Sequence, residues 1–138
     1  MNRSPEAQAQ YERLLPEAIA AARAAWCPHS NFPVGAALLT ADDRIIRGCN
    51  VENASYGLTN CAERGALFSA IAQGHAPASF KAMLVYAPNV ALISPCGACR
   101  QVMHDLMSPH GVVYCVGHDA TAARDWTVEQ LLPGAFGF

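Results

Sequence analysis

Apolar runs in this chain are separated by short polar or Gly/Pro-rich breaks, and their spacing predicts the elements. Leu15, Ala18, Ile19, Ala22 and Trp26 recur at helical spacing, which predicts a first helix over about 16–26. Pro16 suits its first turn, where a missing N–H costs nothing. Residues 1–10 are polar and Ala-rich and are expected to fray. Trp26-Cys27-Pro28-His29-Ser30-Asn31 reads as a loop. Apolar segments at 34–40 and 44–51 flank Ala41-Asp42-Asp43 and predict a hairpin. A second helix is predicted over about 60–73, with Gly74 where a C-terminal glycine belongs. Residues 82–86 read as a buried strand, 88–95 as a loop and 97–107 as a third helix. A fourth strand at 112–116 and a weak fifth near 124–126 follow. The link between these two is too short for a parallel crossover, so the pair should be antiparallel. Residues 127–132 predict a helical turn or two before Pro133-Gly134. Strands and helices alternate through the middle, so the expected class is α/β, with one mixed sheet of about five strands flanked by helices.

Composition narrows the class without naming a function. A length of 138 residues predicts a single domain over 1–138. Hydrophobic residues are 52% and charged residues 14%, enough for a core and too apolar for disorder. The formal net charge is -2 and Lys81 is the only lysine, which gives no electrostatic footprint for nucleic acid. No basic n-region precedes an apolar run at the N-terminus, so no signal peptide is expected. No apolar stretch reaches membrane-spanning length, and a cytoplasmic location is expected. Six cysteines in such a chain point to reduced thiols. Cys27, Cys49 and Cys115 sit in apolar strings and are expected to be buried small hydrophobes.

The other three cysteines have ligand spacing. Cys61-Ala62-Glu63 is followed by Pro95-Cys96-Gly97-Ala98-Cys99. Three thiols can fill three corners of a zinc tetrahedron and leave the fourth for water. A carboxylate two residues after the first thiol can reach that water without being a ligand. With Cys in place of His as first ligand, this is the signature of zinc-dependent deaminases. Cys61 should open the second helix, and Cys96 and Cys99 the third. Helix N-termini favour thiolate, the form that binds metal. Cys-Gly-Ala-Cys alone is ambiguous: it suits a redox dithiol or half of a structural zinc site. None of the five histidines lies in a motif with Cys61, so a closed site has no evident fourth member.

Two neighbours of Cys61 complete the expected chemistry. Glu63 is the expected proton shuttle, from the metal's water to N3 of a pyrimidine and then to the departing ammonia. Alone it would read as a solvated glutamate in a helix's first turn. Three thiolates on Zn²⁺ leave an excess negative charge that weakens the metal as a Lewis acid. Arg64 is the candidate donor that offsets it, against a plain surface ion pair.

Several longer stretches carry a family resemblance. They are Ser30-Asn31-Phe32-Pro33-Val34-Gly35-Ala36-Ala37-Leu38, Gly48-Cys49-Asn50-Val51-Glu52-Asn53-Ala54-Ser55-Tyr56, Cys61-Ala62-Glu63-Arg64, Ser94-Pro95-Cys96-Gly97-Ala98-Cys99-Arg100-Gln101 and Leu131-Leu132-Pro133-Gly134-Ala135-Phe136. Over residues 14–136 the chain resembles the small, homotetrameric, three-cysteine cytidine deaminases. The resemblance implies a three-layer α-β-α fold and one Zn²⁺ per chain. It implies hydrolytic deamination of cytidine and 2′-deoxycytidine in pyrimidine salvage, in a homotetramer with shared active sites. Asn50 and Glu52 resemble the pair that holds the ribose 3′-hydroxyl, and two residues apart on a strand they face one side. Phe32 resembles the aromatic that packs on the base. Ala62 resembles the residue whose backbone N–H meets the pyrimidine carbonyl. Ala54 and Tyr56 resemble residues that reach a neighbour's nucleoside, and Phe136 the aromatic that closes another subunit's pocket. Two positions depart from the family. His29 stands where tyrosine is usual, and Gly65 where a β-branched or larger residue is common.

Overall fold

The computed structural model describes residues 2–138. Its elements are α1 (Pro5–Arg23), β1 (Gly35–Leu39), β2 (Ile45–Cys49), α2 (Ala62–Ala72), β3 (Phe80–Tyr86), α3 (Gly97–Leu106), β4 (Met107–Val116), β5 (Arg124–Thr127) and α4 (Val128–Leu131). The five strands form one mixed sheet in the order β2-β1-β3-β4-β5. β1 is antiparallel to both β2 and β3, and β3 is parallel to β4. β5 is antiparallel to β4, as the short connection requires.

The central strands are apolar on both faces because both faces are covered. Ala36 and Leu38 of β1, Met83 and Val85 of β3, and Val113 and Cys115 of β4 face α2, α3 and α4. The alternate residues Ala37, Leu39, Ala82, Leu84, Tyr114 and Val116 face α1. This period of two divides the core into two layers around one sheet.

The first helix differs from the expectation. It begins at Pro5, not near residue 16, and runs through Pro16. An interior proline removes a helical hydrogen bond and crowds the preceding turn. Tertiary contacts outweigh that cost. Leu14 and Ala18 are fully buried against the sheet, and the expected frayed segment is tied down. The Ser4 side chain accepts from the Ala7 N–H as an N-cap. Arg3 makes a two-pronged ion pair with Asp125 at 2.8 and 2.9 Å, and its guanidinium lies 3.8 Å from the centre of the Tyr11 ring.

Two glycines place the site. Gly74, at φ 94°, ends α2 in the left-handed region that favours glycine. Gly48 lets β2 approach the first turn of α2, since a Cβ there would collide with the Ala62 carbonyl. Among the described residues, no helix is long and apolar enough to cross a membrane.

Candidate active site

α2 and α3 start side by side at one end of the sheet, and each starts on a cysteine. Cys61 is the N-cap of α2 and Cys96 the N-cap of α3. Neither makes a capping hydrogen bond with its side chain, so both sulfurs are free for another partner. Cys99, one turn into α3, is buried. The Cys61 and Cys96 sulfurs are 4.0 Å apart, and all three sulfurs lie within 4.8 Å of one another. Among the described residues this is the one cluster able to hold a metal ion. None of the three is in a disulfide.

The donor set fits zinc. Three convergent thiols at two helix N-termini match its preference for sulfur and tetrahedral geometry, with one position left over. The electrostatics agree. Cys61 is pushed down to about 5, chiefly by the hydrogen bond from Cys99 and further by Arg64. The Cys99 thiol is pushed up by that same hydrogen bond and by burial. Arg64 Nη2 donates to Cys61 Sγ at 3.2 Å, so its side chain turns toward the sulfur cluster and not to a surface carboxylate. Its Nε is buried without a partner, a further donor beside the sulfur cluster.

Glu63 is 5% exposed, and burial pushes its carboxyl up to about 7. The Cys61 thiolate raises it further, while Arg64 and a backbone hydrogen bond oppose the rise. A carboxyl balanced near neutrality can both take and give a proton.

Glu63, Ala62, Cys61 and Cys96 line a cavity of about 340 Å³. Phe32, Asn50 and Glu52 line the same cavity. Asn50 and Glu52 sit just beyond β2, where the Trp26 N–H donates to Asn50 O at 3.0 Å and Glu52 N–H to Trp26 O at 2.7 Å. The Asn50 amide is already engaged: its Nδ2 donates to Phe32 O at 2.8 Å and its Oδ1 accepts from the Val34 N–H at 2.9 Å. Ser30, Thr59, Asn60, Ile93 and Ser94 also line the cavity. Sequence reasoning gave them no role, although Ser30 and Ser94 flank residues that it singled out.

Other expected site residues lie away from this wall. Cys99 and Arg64 lie behind it, at the sulfur cluster. Ala54 is exposed, and Tyr56 is 78% exposed beside a second cavity of about 360 Å³ that shares Ser30, Glu52 and Thr59 with the first. Phe136 is 68% exposed, and its carbonyl accepts from Gln101 Nε2 at 3.1 Å. Cys115 is buried as expected, whereas Cys27 and Cys49 are only half-buried. Cys49 ends β2, an edge strand of the sheet, and Cys27 lies between α1 and β1.

The chain belongs to the cytidine and deoxycytidylate deaminase family: the model of that family's zinc-binding region matches residues 8–116. It is 50% identical over 125 residues to a cytidine deaminase of Halalkalibacterium halodurans, covering 91% of this chain and 92% of that one. It is 38% identical over 127 residues to a cytidine deaminase of Mycobacterium tuberculosis, covering 92% and 90%. The fold is similar to the crystal structure of cytidine deaminase from Burkholderia pseudomallei, with a TM-score of 0.88, 49% identity and coverage of 91% and 98%.

Proposed function

We propose that this chain catalyses the zinc-dependent hydrolytic deamination of cytidine and 2′-deoxycytidine to uridine and 2′-deoxyuridine, with release of ammonia. The observation that carries the reading is Glu63, a buried carboxyl on the wall of the cavity that Cys61 and Cys96 of the sulfur cluster also line. The relatives named as cytidine deaminases supply the substrate.

Cys61, Cys96 and Cys99 hold the metal, and Arg64 offsets part of their negative charge. Bound there, zinc supplies a Lewis acid that activates water at neutral pH for attack on C4 of the base. Glu63 takes a proton from the attacking water and gives it to N3 of the pyrimidine. It then takes the water's second proton from the C4 hydroxyl and passes it to the exocyclic nitrogen, so that C4=O forms as the C4–N bond breaks and ammonia leaves. The N–H of Ala62 is an unpaired donor of the first turn of α2 and faces the pyrimidine carbonyl. Phe32 packs on the base. Asn50 and Glu52 hold the sugar's 3′-hydroxyl, and the Asn50 amide also ties down the Phe32 loop beside them.

We read the chain as one domain acting as a homotetramer in the cytoplasm, in pyrimidine salvage. One sheet with a core layer on each face supports the single domain. Trp26, Tyr56, Leu58 and Phe136 are large apolar side chains left exposed, and a neighbouring copy would cover them. On this reading Ala54, Tyr56 and Phe136 complete a neighbour's pocket. The deciding experiment is an ultraviolet assay of cytidine loss with purified zinc-loaded protein, with ammonia measured in parallel. One ammonia per cytidine consumed is expected, and absence of turnover would overturn the reading.

A further inference from the structure

The loop before β1 carries a set of hydrogen bonds that the reaction as described does not use. Glu52 Oε1 accepts from the backbone N–H groups of His29, at 2.8 Å, and Ser30, at 3.1 Å. Ser30 Oγ in turn accepts from the backbone N–H of Phe32 at 3.0 Å. The Ser30 hydroxyl thereby braces the turn whose two backbone N–H groups hold the Glu52 carboxylate. One small residue thus joins two residues that line the same cavity, the Glu52 carboxylate and the Phe32 aromatic. The loop around it is held from outside. Asn31 sits at φ 52°, and its carbonyl accepts from Asn89 Nδ2 at 2.9 Å. Glu52 is itself partly exposed and borders both cavities, so without these bonds its side chain could turn to either.

We propose that Ser30 is a positioning residue for sugar recognition, fixing the orientation in which Glu52 meets the 3′-hydroxyl. A carboxylate has about four lone-pair sites on two oxygens. The N–H groups of His29 and Ser30 occupy Oε1, which leaves Oε2 for the substrate. Ser30 also sets the distance between Oε2 and the Phe32 ring, because both hang on the same three residues of backbone. The inference rests on the reading that Glu52 binds the 3′-hydroxyl, and it adds that Glu52 does so only when Ser30 holds it.

The test compares two substrates that differ only in that hydroxyl, 2′-deoxycytidine and 2′,3′-dideoxycytidine. The readout is the ratio of their kcat/KM values, which cancels any loss of folded enzyme. Zinc-loaded parent, Ser30→Ala, Ser30→Thr and Glu52→Gln proteins are measured side by side. Glu52→Gln should narrow the parent's preference for 2′-deoxycytidine by roughly ten-fold or more, the scale of one charge-assisted hydrogen bond. Ser30→Ala should narrow it by several-fold to roughly ten-fold, and Ser30→Thr, which keeps the hydroxyl, should restore it. If Ser30→Ala slows both substrates equally while Glu52→Gln narrows the ratio, Ser30 only shapes the loop and the inference is overturned. If Glu52→Gln leaves the ratio unchanged, the assignment of Glu52 fails first, and the inference falls with it.

Discussion

Arg64 Nη2 lies 3.2 Å from Cys61 Sγ, one turn further along α2. The pair sits on a helix whose first turn also carries Glu63, so three side chains of the candidate site share one rigid element. A charged donor in that position relieves the negative charge that three thiolates place on one metal ion.

Arg64→Ala should therefore loosen the metal without removing a ligand. The expected loss is about 10–100-fold in zinc affinity or in activity. Zinc release to a chromogenic chelator reads affinity directly. Parent-like release would assign Arg64 a structural role only.

Glu63→Gln should keep both fold and zinc, because Glu63 is not one of the three sulfur donors. Turnover should fall by about 10²–10⁴-fold, the usual share of a general acid–base group. The pH profile gives a second check. The Glu63 carboxyl lies near pH 7, so it loses the ability to accept a proton as pH falls below that value. The parent's kcat/KM should decline on that acid side, and the residual activity of the variant should lack that limb. A variant with full turnover would remove Glu63 from the mechanism.

Arg3→Ala should destabilise the protein by roughly 1–3 kcal/mol, because it leaves Asp125 without its partly buried partner. At this chain length each kcal/mol moves Tm by about 2–4 °C. Arg3→Lys keeps the charge but not the two-pronged geometry and should recover only part of the loss. Equal melting temperatures for all three proteins would show that the clasp contributes nothing.

The β1–β2 hairpin, the buried run of β3 and the antiparallel β4–β5 pair are legible in the sequence because each depends on local pattern and connection length. So are the cysteine positions at two helix starts, since capping and ligand spacing are local as well. The first helix also carries a local start signal, Ser4 before Pro5 with Glu6 in the first turn, but Pro16 offers a competing one. Pro16 is a local signal that long-range burial overrides. The same holds inside the site. Asn50 and Glu52 can be read as facing one side, but the bonds that engage them come from residues 16 to 23 positions away.

Two glycines on facing surfaces of β2 and α2 should respond in opposite ways to the same added methyl. At Gly65 a Cβ would meet the Cys49 carbonyl at 3.7 Å, an ordinary contact. Glycine inside a helix is about 1 kcal/mol less favourable than alanine. Gly65→Ala should then stabilise the protein by up to about 1 kcal/mol and leave zinc content and activity near the parent's. At Gly48 a Cβ would collide with the Ala62 carbonyl, a backbone atom that cannot rotate away. Overpacking of this kind costs about 1–3 kcal/mol. The damage should also reach the chemistry, because the displaced turn begins at Cys61 and carries Glu63. Gly48→Ala should therefore lose stability and zinc affinity together. Thermal melts and chelator-driven zinc release on the two variants check this. A destabilised Gly65→Ala would show that β2 and α2 meet more closely there than described, and a Gly48→Ala protein that melts and holds zinc like the parent would show that they meet less closely.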